Sequence, residues 1–107
     1  MKVIDFLEST YKDNAYNVRP FAICKDGFKI SIQGGTESHY CIPRKLCHEY
    51  IKVELGFPSE SDDLIFEFAE DNRDLLGTVY GYVPIEIVEK LIEKHGGIDP
   101  IMIEGNI

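Results

Sequence analysis

Most of the cysteine and histidine side chains in this sequence lie between positions 24 and 48. The stretch contains all three cysteines and two of the three histidines, namely Cys24, His39, Cys41, Cys47 and His48. Because zinc prefers thiolate and imidazole ligands, these groups, alone or with His95, could form a tetrahedral site. Their intervals are irregular, whereas structural zinc sites usually present paired ligands such as Cys-x-x-Cys. We therefore predict no cofactor, and zinc is the alternative.

The same stretch could supply a catalytic thiol and its base. His39 and Cys41 are two residues apart, so they share one face of an extended segment. The imidazole of His39 or of His95 could convert the Cys41 thiol into a reactive thiolate, and Arg44 is near enough in sequence to stabilise an anion. No family-specific catalytic motif surrounds Cys41, so buried structural cysteines are the simpler interpretation. The candidate pocket residues are Cys24, His39, Tyr40, Cys41 and Arg44.

Negative charge is concentrated in the second half of the chain. The 107 residues carry a net charge of −8, and residues 57–107 contain twelve acidic and three basic side chains. Binding to phosphate backbones depends on Lys and Arg displacing counterions, so this distribution argues against direct binding of nucleic acid.

The acidic residues have a structural and a functional interpretation. They could form a solvated face, or they could recognise a protein with a basic surface, since opposite charges speed encounter and orient the two partners. Their spacing does not match a calcium-binding loop. The carboxylates expected to bind a basic partner are Glu60, Asp62, Asp63, Glu67, Glu70 and Asp71.

Composition is typical of a single-domain cytoplasmic protein. With 44% hydrophobic and 28% charged residues, the chain can form one core, so we expect one domain over 1–107 with a tail at 99–107 that could fray. No apolar stretch is long enough to span a membrane, and Asp5 and Glu8 interrupt the apolar residues that a secretory signal would need. Three cysteines cannot all pair within one chain, so reduced thiols are expected.

Residue patterns predict an α+β fold with a mainly antiparallel sheet of three to four strands. Alternating apolar residues, or runs rich in β-branched and aromatic residues, occur at 18–24, 28–33, 50–55 and 78–83. Asp26-Gly27 between the first two strands predicts a type I′ hairpin turn. In the third strand, Ile51, Val53 and Leu55 are expected to face the core.

Helical spacing of apolar residues predicts an N-terminal helix over 3–11 and a C-terminal helix over 84–95. Pro84 suits the first position of the second helix, and Gly96-Gly97 supplies a left-handed cap at its end. Residues 60–74 are expected to form an acidic helix, although their central apolar run would also suit a strand.

Five short blocks occur in order within residues 18–98. They are Cys24-Lys25-Asp26-Gly27-Phe28, His39-Tyr40-Cys41-Ile42-Pro43-Arg44, Glu54-Leu55-Gly56-Phe57-Pro58-Ser59, Val79-Tyr80-Gly81-Tyr82-Val83-Pro84 and Lys94-His95-Gly96-Gly97. Together they resemble a family of small uncharacterised phage and mobile-element proteins that has no assigned activity. The resemblance implies a setting, the cytoplasm of a bacterial host, and leaves reaction and ligand open.

A small acidic protein in that setting is expected to be an accessory or inhibitory factor. We predict that it binds a host or defence protein and catalyses no reaction. The alternative is a metal-binding or cysteine-dependent enzyme that uses the region around Cys24, His39 and Cys41. A homodimer is a further expectation, because exposed strand edges and the apolar tail could pair.

Overall fold

The computed structural model describes residues 1–11, 18–35, 39–44 and 49–101, and it places two helices against one antiparallel sheet. The sheet has the order β1-β2-β3-β4, and every pair of neighbours is antiparallel. The elements in chain order are α1 (Val3–Ser9), β1 (Ala22–Ile23), β2 (Lys29–Gln33), β3 (Lys52–Gly56), β4 (Val79–Pro84) and α2 (Ile85–Lys94). The predicted α+β fold is therefore confirmed. None of the described helices is long and apolar enough to cross a membrane.

The core lies between the sheet and both helices. The alternating pattern of β2 has its predicted effect, because Ile30 and Ile32 are fully buried while Ser31 between them is not. Phe6 of α1 and Leu91 of α2 belong to the same buried cluster. The apolar faces of the helices and of the sheet are thus covered by one another.

The third strand starts later than the alternating pattern predicts. Val53 and Leu55 of β3 are fully buried as expected, but Ile51 is 60% exposed, so the prediction for this residue is wrong. The Ile51 N–H donates to the Ile42 carbonyl and its carbonyl accepts the N–H of Ile85, each at 3.0 Å. The bond from Ile85 continues the β3–β4 register, in which Lys52 lies opposite Pro84. Ile51 thus lies just beyond the end of β3, and its side chain is left in solvent.

The turn between β1 and β2 is a three-residue hairpin loop and not the predicted type I′ turn. The Cys24 N–H donates to the Phe28 carbonyl at 2.7 Å, and the Gly27 N–H donates to the Cys24 carbonyl at 2.9 Å. A type I′ turn needs a positive φ at both central residues, but Gly27 has one (+96°) and Asp26 does not. The Asp26 carboxylate accounts for the difference, because it accepts the Phe28 N–H at 2.9 Å and contacts His95 at 2.7 Å.

The end of α2 has the predicted left-handed cap. Gly96 and Gly97 have φ values of +87° and +88°. Their N–H groups donate to the carbonyls of Glu93 and Ile92, each at 3.0 Å, which is the hydrogen-bond pattern of a Schellman motif. At the other end, Pro84 is the N-cap residue and does not occupy the first helical position.

Residues 60–74, called the acidic segment below, do not form the predicted helix. They form turns around one 3-10 turn at Phe66–Phe68. Asp62 Oδ1 accepts the Leu64 N–H at 2.9 Å, which satisfies this backbone group without a helix. Farther along, the Glu70 N–H donates to a backbone carbonyl of β4 at 2.9 Å, so the chain is extended there. This contact with β4 competes with helix formation. It cannot be predicted from the spacing of residues within the segment, because β4 is distant in sequence.

Both outer edges of the sheet are covered by neighbouring segments. On the β1 side, the Asp99 N–H donates to the Ile23 carbonyl at 2.8 Å, and on the β4 side the Tyr82 N–H donates to the Tyr40 carbonyl at 2.9 Å. Two copies that paired through these edges would have to replace such bonds. The homodimer therefore stays a prediction, and the rest of the predicted tail, residues 102–107, lies outside the described residues.

Candidate functional site

The acidic segment is held to the rest of the fold at three points. Near its start, Asp62 Oδ2 lies 2.7 Å from Nζ of Lys94 in the last turn of α2, and the Asp62 side chain is only 5% exposed. The fully buried side chain of Ile65 belongs to the core. Ala69 then pairs with Tyr80 of β4. The segment therefore presents its other carboxylates from a backbone that tertiary contacts keep in place.

The six carboxylates predicted to bind a partner divide into two groups. Those with exposed side chains are Glu60, Asp63, Glu67 and Glu70. Asp62 is buried in its ion pair with Lys94. Asp71 is only partly exposed, and its Oδ1 accepts hydrogen bonds from the backbone N–H and from Nε of Arg73 at 3.0 and 3.3 Å. In the first group, Glu60 Oε1 lies 3.9 Å from His95 Nε2, so Asp63, Glu67 and Glu70 are the predicted carboxylates presented to a partner without an internal ion pair having to break.

Asp62 and Lys94 stabilise each other in the charged form. Burial opposes ionisation of Asp62, but hydrogen bonds from Lys94 and from the Leu64 N–H outweigh it, so the pKa of Asp62 lies below its ordinary value. The same hydrogen bond raises the pKa of Lys94. Because a lowered folded-state pKa means that the unfolded chain binds the proton more tightly, this stabilisation is present above the unfolded carboxyl pKa of about 3.9. It is lost as the pH falls through the folded value.

Replacing Asp62 by asparagine is expected to lower the free energy of unfolding by about 1 kcal/mol at neutral pH, because the charge-assisted bond to Lys94 is lost. The difference from the wild type should shrink as the pH is lowered below about 4. Urea unfolding followed by far-UV circular dichroism at several pH values measures both effects. The matched control is Asp63→Asn at the exposed neighbouring position, with an expected change within about 0.5 kcal/mol. Equal losses in the two variants would contradict the role of the buried pair.

His95, which the sequence suggested only as an additional ligand or base, braces the β1–β2 hairpin against the end of α2. Its Nδ1 lies 2.7 Å from Asp26 Oδ2, and its ring stacks on Phe28 with centroids 4.0 Å apart. Its Nε2 is buried, has no hydrogen-bond partner in the described part of the chain, and lies 3.9 Å from Oε1 of Glu60. The Phe28 N–H, and after it the bond to His95, lower the pKa of Asp26. The buried ring therefore joins the β1–β2 hairpin to the end of α2. The feature of the sequence that marks this position is the pair of capping glycines that follows it.

The candidate pocket residues lie in two separate places. Cys24 is next to the hairpin at the end of β1, where it pairs with Ile98. His39, Tyr40 and Cys41 instead lead into the bridge that residue 42 forms with β3. Strand β2 lies between β1 and β3, so the grouping of Cys24 with His39 and Cys41 is not observed.

The two described cysteines are buried thiols. Burial raises the pKa of the Cys24 thiol to about 11, so it is protonated at neutral pH. Cys41 is fully buried, and its Sγ donates to the Pro43 carbonyl at 3.4 Å. Cys47 and His48 lie outside the described residues. Within residues 1–11, 18–35, 39–44 and 49–101, no three His, Cys, Asp or Glu side chains lie close enough together to hold a metal ion.

Glu54 of β3 positions the segment that contains His39 and Tyr40. One carboxylate oxygen of Glu54 lies 3.1 Å from Nδ1 of His39, and the other accepts the Tyr40 N–H at 3.3 Å. Arg44, at the end of the same described stretch, is exposed. Of the candidate pocket residues, Tyr40 is the one that lines the cleft beside β4 described next.

A cleft of about 270 Å³, called the tyrosine cleft below, lies beside β4. Its lining residues are Tyr40, Phe68, Glu70, Gly81 and Tyr82. The ring centroids of Tyr40 and Tyr82 are 5.9 Å apart, and the rings are inclined by 40°. Gly81 permits this approach, since a Cβ atom there would lie 3.1 Å from Cβ of Tyr40. Tyr40 and Glu70 were predicted site residues for unrelated reasons, and Phe68, Gly81 and Tyr82 were not predicted, because no periodic pattern relates residues 40, 68–70 and 81–82.

Comparison with known proteins assigns no family to this fold or to its clefts. No family model, no curated protein and no solved structure matches the chain. The resemblance to phage and mobile-element proteins therefore stays a prediction.

Proposed function

We propose that this protein is a non-catalytic binding protein whose acidic segment docks on a basic surface of another protein. The observation that carries the proposal is the combination of four exposed carboxylates with a backbone held at Asp62, Ile65 and Ala69. In the bacterial cytoplasm that the resemblance implies, the partner is a host or defence protein.

Three of the six carboxylates predicted to bind a partner have no contact ion pair with a described residue. Asp63, Glu67 and Glu70 form no ion pair with any residue that the structure describes. Lys94 and Arg73, the basic side chains in contact with the segment, pair with other carboxylates. The unpaired charges attract and orient a positively charged protein, an effect that weakens as ionic strength rises.

The held backbone makes the acidic segment better suited to binding than a flexible acidic loop would be. A loop that becomes ordered on binding loses conformational entropy, and this loss reduces affinity. Here the ion pair of Asp62, the buried side chain of Ile65 and the pairing of Ala69 with β4 already order the segment. The carboxylates therefore keep a defined arrangement before any partner arrives.

Exposed apolar side chains accompany the carboxylates. Phe66 and Leu76 are each about half exposed, and Tyr82 of β4 is exposed to a lesser extent. Protein interfaces commonly combine aromatic anchors with a polar or charged rim. The surface around the acidic segment offers both components, so it supports specific association as well as long-range attraction.

The alternative of a cysteine-dependent or metal-binding enzyme has less support. Cys24 is buried with a raised pKa, and Cys41 is buried with its thiol directed to a backbone carbonyl. A nucleophilic cysteine needs thiolate character and access to substrate, and these two residues lack the access.

Charge reversal of the acidic segment tests the proposal. The test variant carries Asp63→Lys and Glu67→Lys, and the matched control carries Glu86→Lys and Glu93→Lys on α2, where both side chains are exposed. Each pair of substitutions changes the net charge of −8 by the same amount. Immobilised wild type and both variants are used to capture proteins from a bacterial lysate at low salt, and each captured candidate is then purified and its affinity measured by calorimetry.

We expect a partner with a basic surface to bind the wild type and the α2 control with similar affinity. Its affinity for the test variant should fall by at least roughly tenfold, because like charges then face each other across the interface. If the two variants lose affinity equally, the attraction is non-specific and the proposal is wrong. Recovery of partners without a basic surface would also contradict it.

A further inference from the structure

We propose that the tyrosine cleft receives one lysine or arginine side chain of the basic partner. The inference depends on the proposed function for its biological setting, and it adds the point at which the partner is anchored. It follows from the aromatic walls of the cleft, the unpaired carboxylate at its rim and the strained backbone beside it.

The aromatic walls attract cations. Ring faces carry negative potential, and a lysine ammonium or arginine guanidinium is attracted when it lies within about 6 Å of a ring centroid. The centroids of Tyr40 and Tyr82 are 5.9 Å apart, so one cation can be within that distance of both rings. Phe68 closes the cleft from the side of the acidic segment. The aliphatic part of a bound lysine or arginine side chain can pack on the apolar surface of the cleft while its charged end contacts the rings.

Glu70 supplies the opposite charge. It lines the cleft, its side chain is exposed, and it forms no ion pair or side-chain hydrogen bond with any residue in the described ranges. Its backbone N–H is bonded to the Val79 carbonyl at 2.9 Å, so the residue is held beside the aromatic rings. A cation in the cleft would gain an ion pair and aromatic contacts at the same time.

The backbone at Tyr82 is held in an unfavourable conformation that brings its ring to the cleft. Tyr82 has a φ of +53°, in the left-handed region that a bulky aromatic residue rarely adopts. Its N–H donates to the Tyr40 carbonyl at 2.9 Å, which ties the two ring-bearing residues together. Strained residues of this kind cluster at ligand-binding sites, where the surrounding structure maintains them.

The electrostatics of the cleft select a cation over other occupants. A phosphate group would be repelled by Glu70 and by the net charge of −8. A purely apolar side chain would cover the carboxylate without giving it a partner, and such desolvation is unfavourable. A basic side chain is the occupant that satisfies both the rings and the carboxylate.

Titration with small amides tests the inference without any partner protein. The probes are N-acetyl-arginine amide and N-acetyl-lysine amide, and the neutral control is N-acetyl-citrulline amide, which has the shape of the arginine probe without its charge. Binding is followed in ¹H–¹⁵N correlation spectra of the whole protein. The variants are Glu70→Gln, which removes the charge, and Tyr82→Asn, which removes the ring and keeps a residue type that tolerates positive φ. The matched control is Glu86→Gln on α2.

We expect both cationic amides to shift the resonances of Tyr40, Gly81 and Tyr82 in a saturable way, with dissociation constants on the order of 10 mM. Glu70→Gln and Tyr82→Asn should each weaken this binding by roughly fivefold, whereas Glu86→Gln should leave it unchanged. A stronger response to one amide would identify the preferred side chain. Equal shifts with the citrulline amide, or binding that neither cleft variant weakens, would overturn the inference.

A failure of the cleft to bind cations can be distinguished from a failure of the proposed docking function. The capture experiment reverses charges at Asp63 and Glu67, which do not line the cleft, and the amide titration involves no protein partner. If the cleft binds no cation but the acidic segment still selects a basic protein, the anchor point alone is wrong. If the amides bind but reversal of the segment has no specific effect, the docking function is wrong and the cleft is a cation site of another kind.

Discussion

Replacing Arg19 by methionine is expected to remove about 3 kcal/mol from the free energy of unfolding, the largest effect we predict for one substitution. Arg19 is only 2% exposed, although it lies outside any regular element. Burial lowers the pKa of its guanidinium, and the hydrogen bond to Tyr50 acts in the opposite direction. A charge in such a place is tolerated because Nη1 and Nη2 find acceptors, although the buried Nε has no hydrogen-bond partner among the described residues.

The predicted loss of stability arises because replacement of Arg19 leaves buried hydrogen-bond acceptors without a donor. Its Nη1 donates to the Gly34 carbonyl at 2.7 Å, and its Nη2 donates to the Leu7 carbonyl at 3.2 Å and to the Tyr50 hydroxyl at 3.0 Å. Methionine fills much of the space but donates nothing, and each buried acceptor left without a donor costs about 1–3 kcal/mol. Relief from burying a charge offsets part of this loss.

Urea unfolding followed by far-UV circular dichroism measures the change. Arg73→Met is the matched control, because the Arg73 side chain is 89% exposed and its ion pair with Asp71 is at the surface. We expect that variant to stay within about 0.5 kcal/mol of the wild type. Similar unfolding midpoints for the two variants would show that the buried hydrogen bonds of Arg19 contribute little.

Truncation of Ile65 to alanine is expected to cost about 2–3 kcal/mol, the second largest predicted effect. Ile65 is fully buried and belongs to the central hydrophobic cluster. The substitution removes apolar contacts and leaves a cavity that the surrounding core fills only in part. Because Ile65 also anchors the acidic segment, hydrogen exchange at the Glu70 amide, which is bonded to β4, should become faster than the global loss of stability explains.

The neighbouring residue provides the control for this prediction. Phe66 is larger than Ile65 but about half exposed, so Phe66→Ala should cost less than about 1 kcal/mol. Chemical denaturation gives both values, and amide exchange reports on the segment. A cost for Phe66→Ala equal to that for Ile65→Ala would mean that Ile65 is no anchor.

The buried contacts of Asp62 and Ile65 link the stability of the fold to the proposed docking surface. The carboxylates of the acidic segment can be exposed and still ordered because Asp62 and Ile65 of the same segment are buried. A variant such as Ile65→Ala is therefore expected to weaken partner binding through disorder, whereas reversal at Asp63 and Glu67 weakens it through charge. Their different effects on stability separate the two causes.

Features encoded by near neighbours could be read from the amino-acid order. The alternation in β2 places Ile30 and Ile32 in the core, and Gly96 and Gly97 end α2 with the expected left-handed conformation. Apolar residues two apart on a strand, or three and four apart on a helix, share a face whatever the rest of the chain does. The fold class and the excess of exposed negative charge were predictable for this reason.

Features that depend on distant segments meeting were not predictable in the same way. The acidic segment is not a helix because Asp62 pairs with Lys94 and Ala69 pairs with β4. The tyrosine cleft exists because Tyr40 reaches Gly81 and Tyr82 across the fold. Such contacts compete with local preference, and their free energy depends on long-range geometry that residue spacing does not contain. Local pattern thus accounts for the core and the surface charge, and long-range packing accounts for which carboxylates and rings stand together.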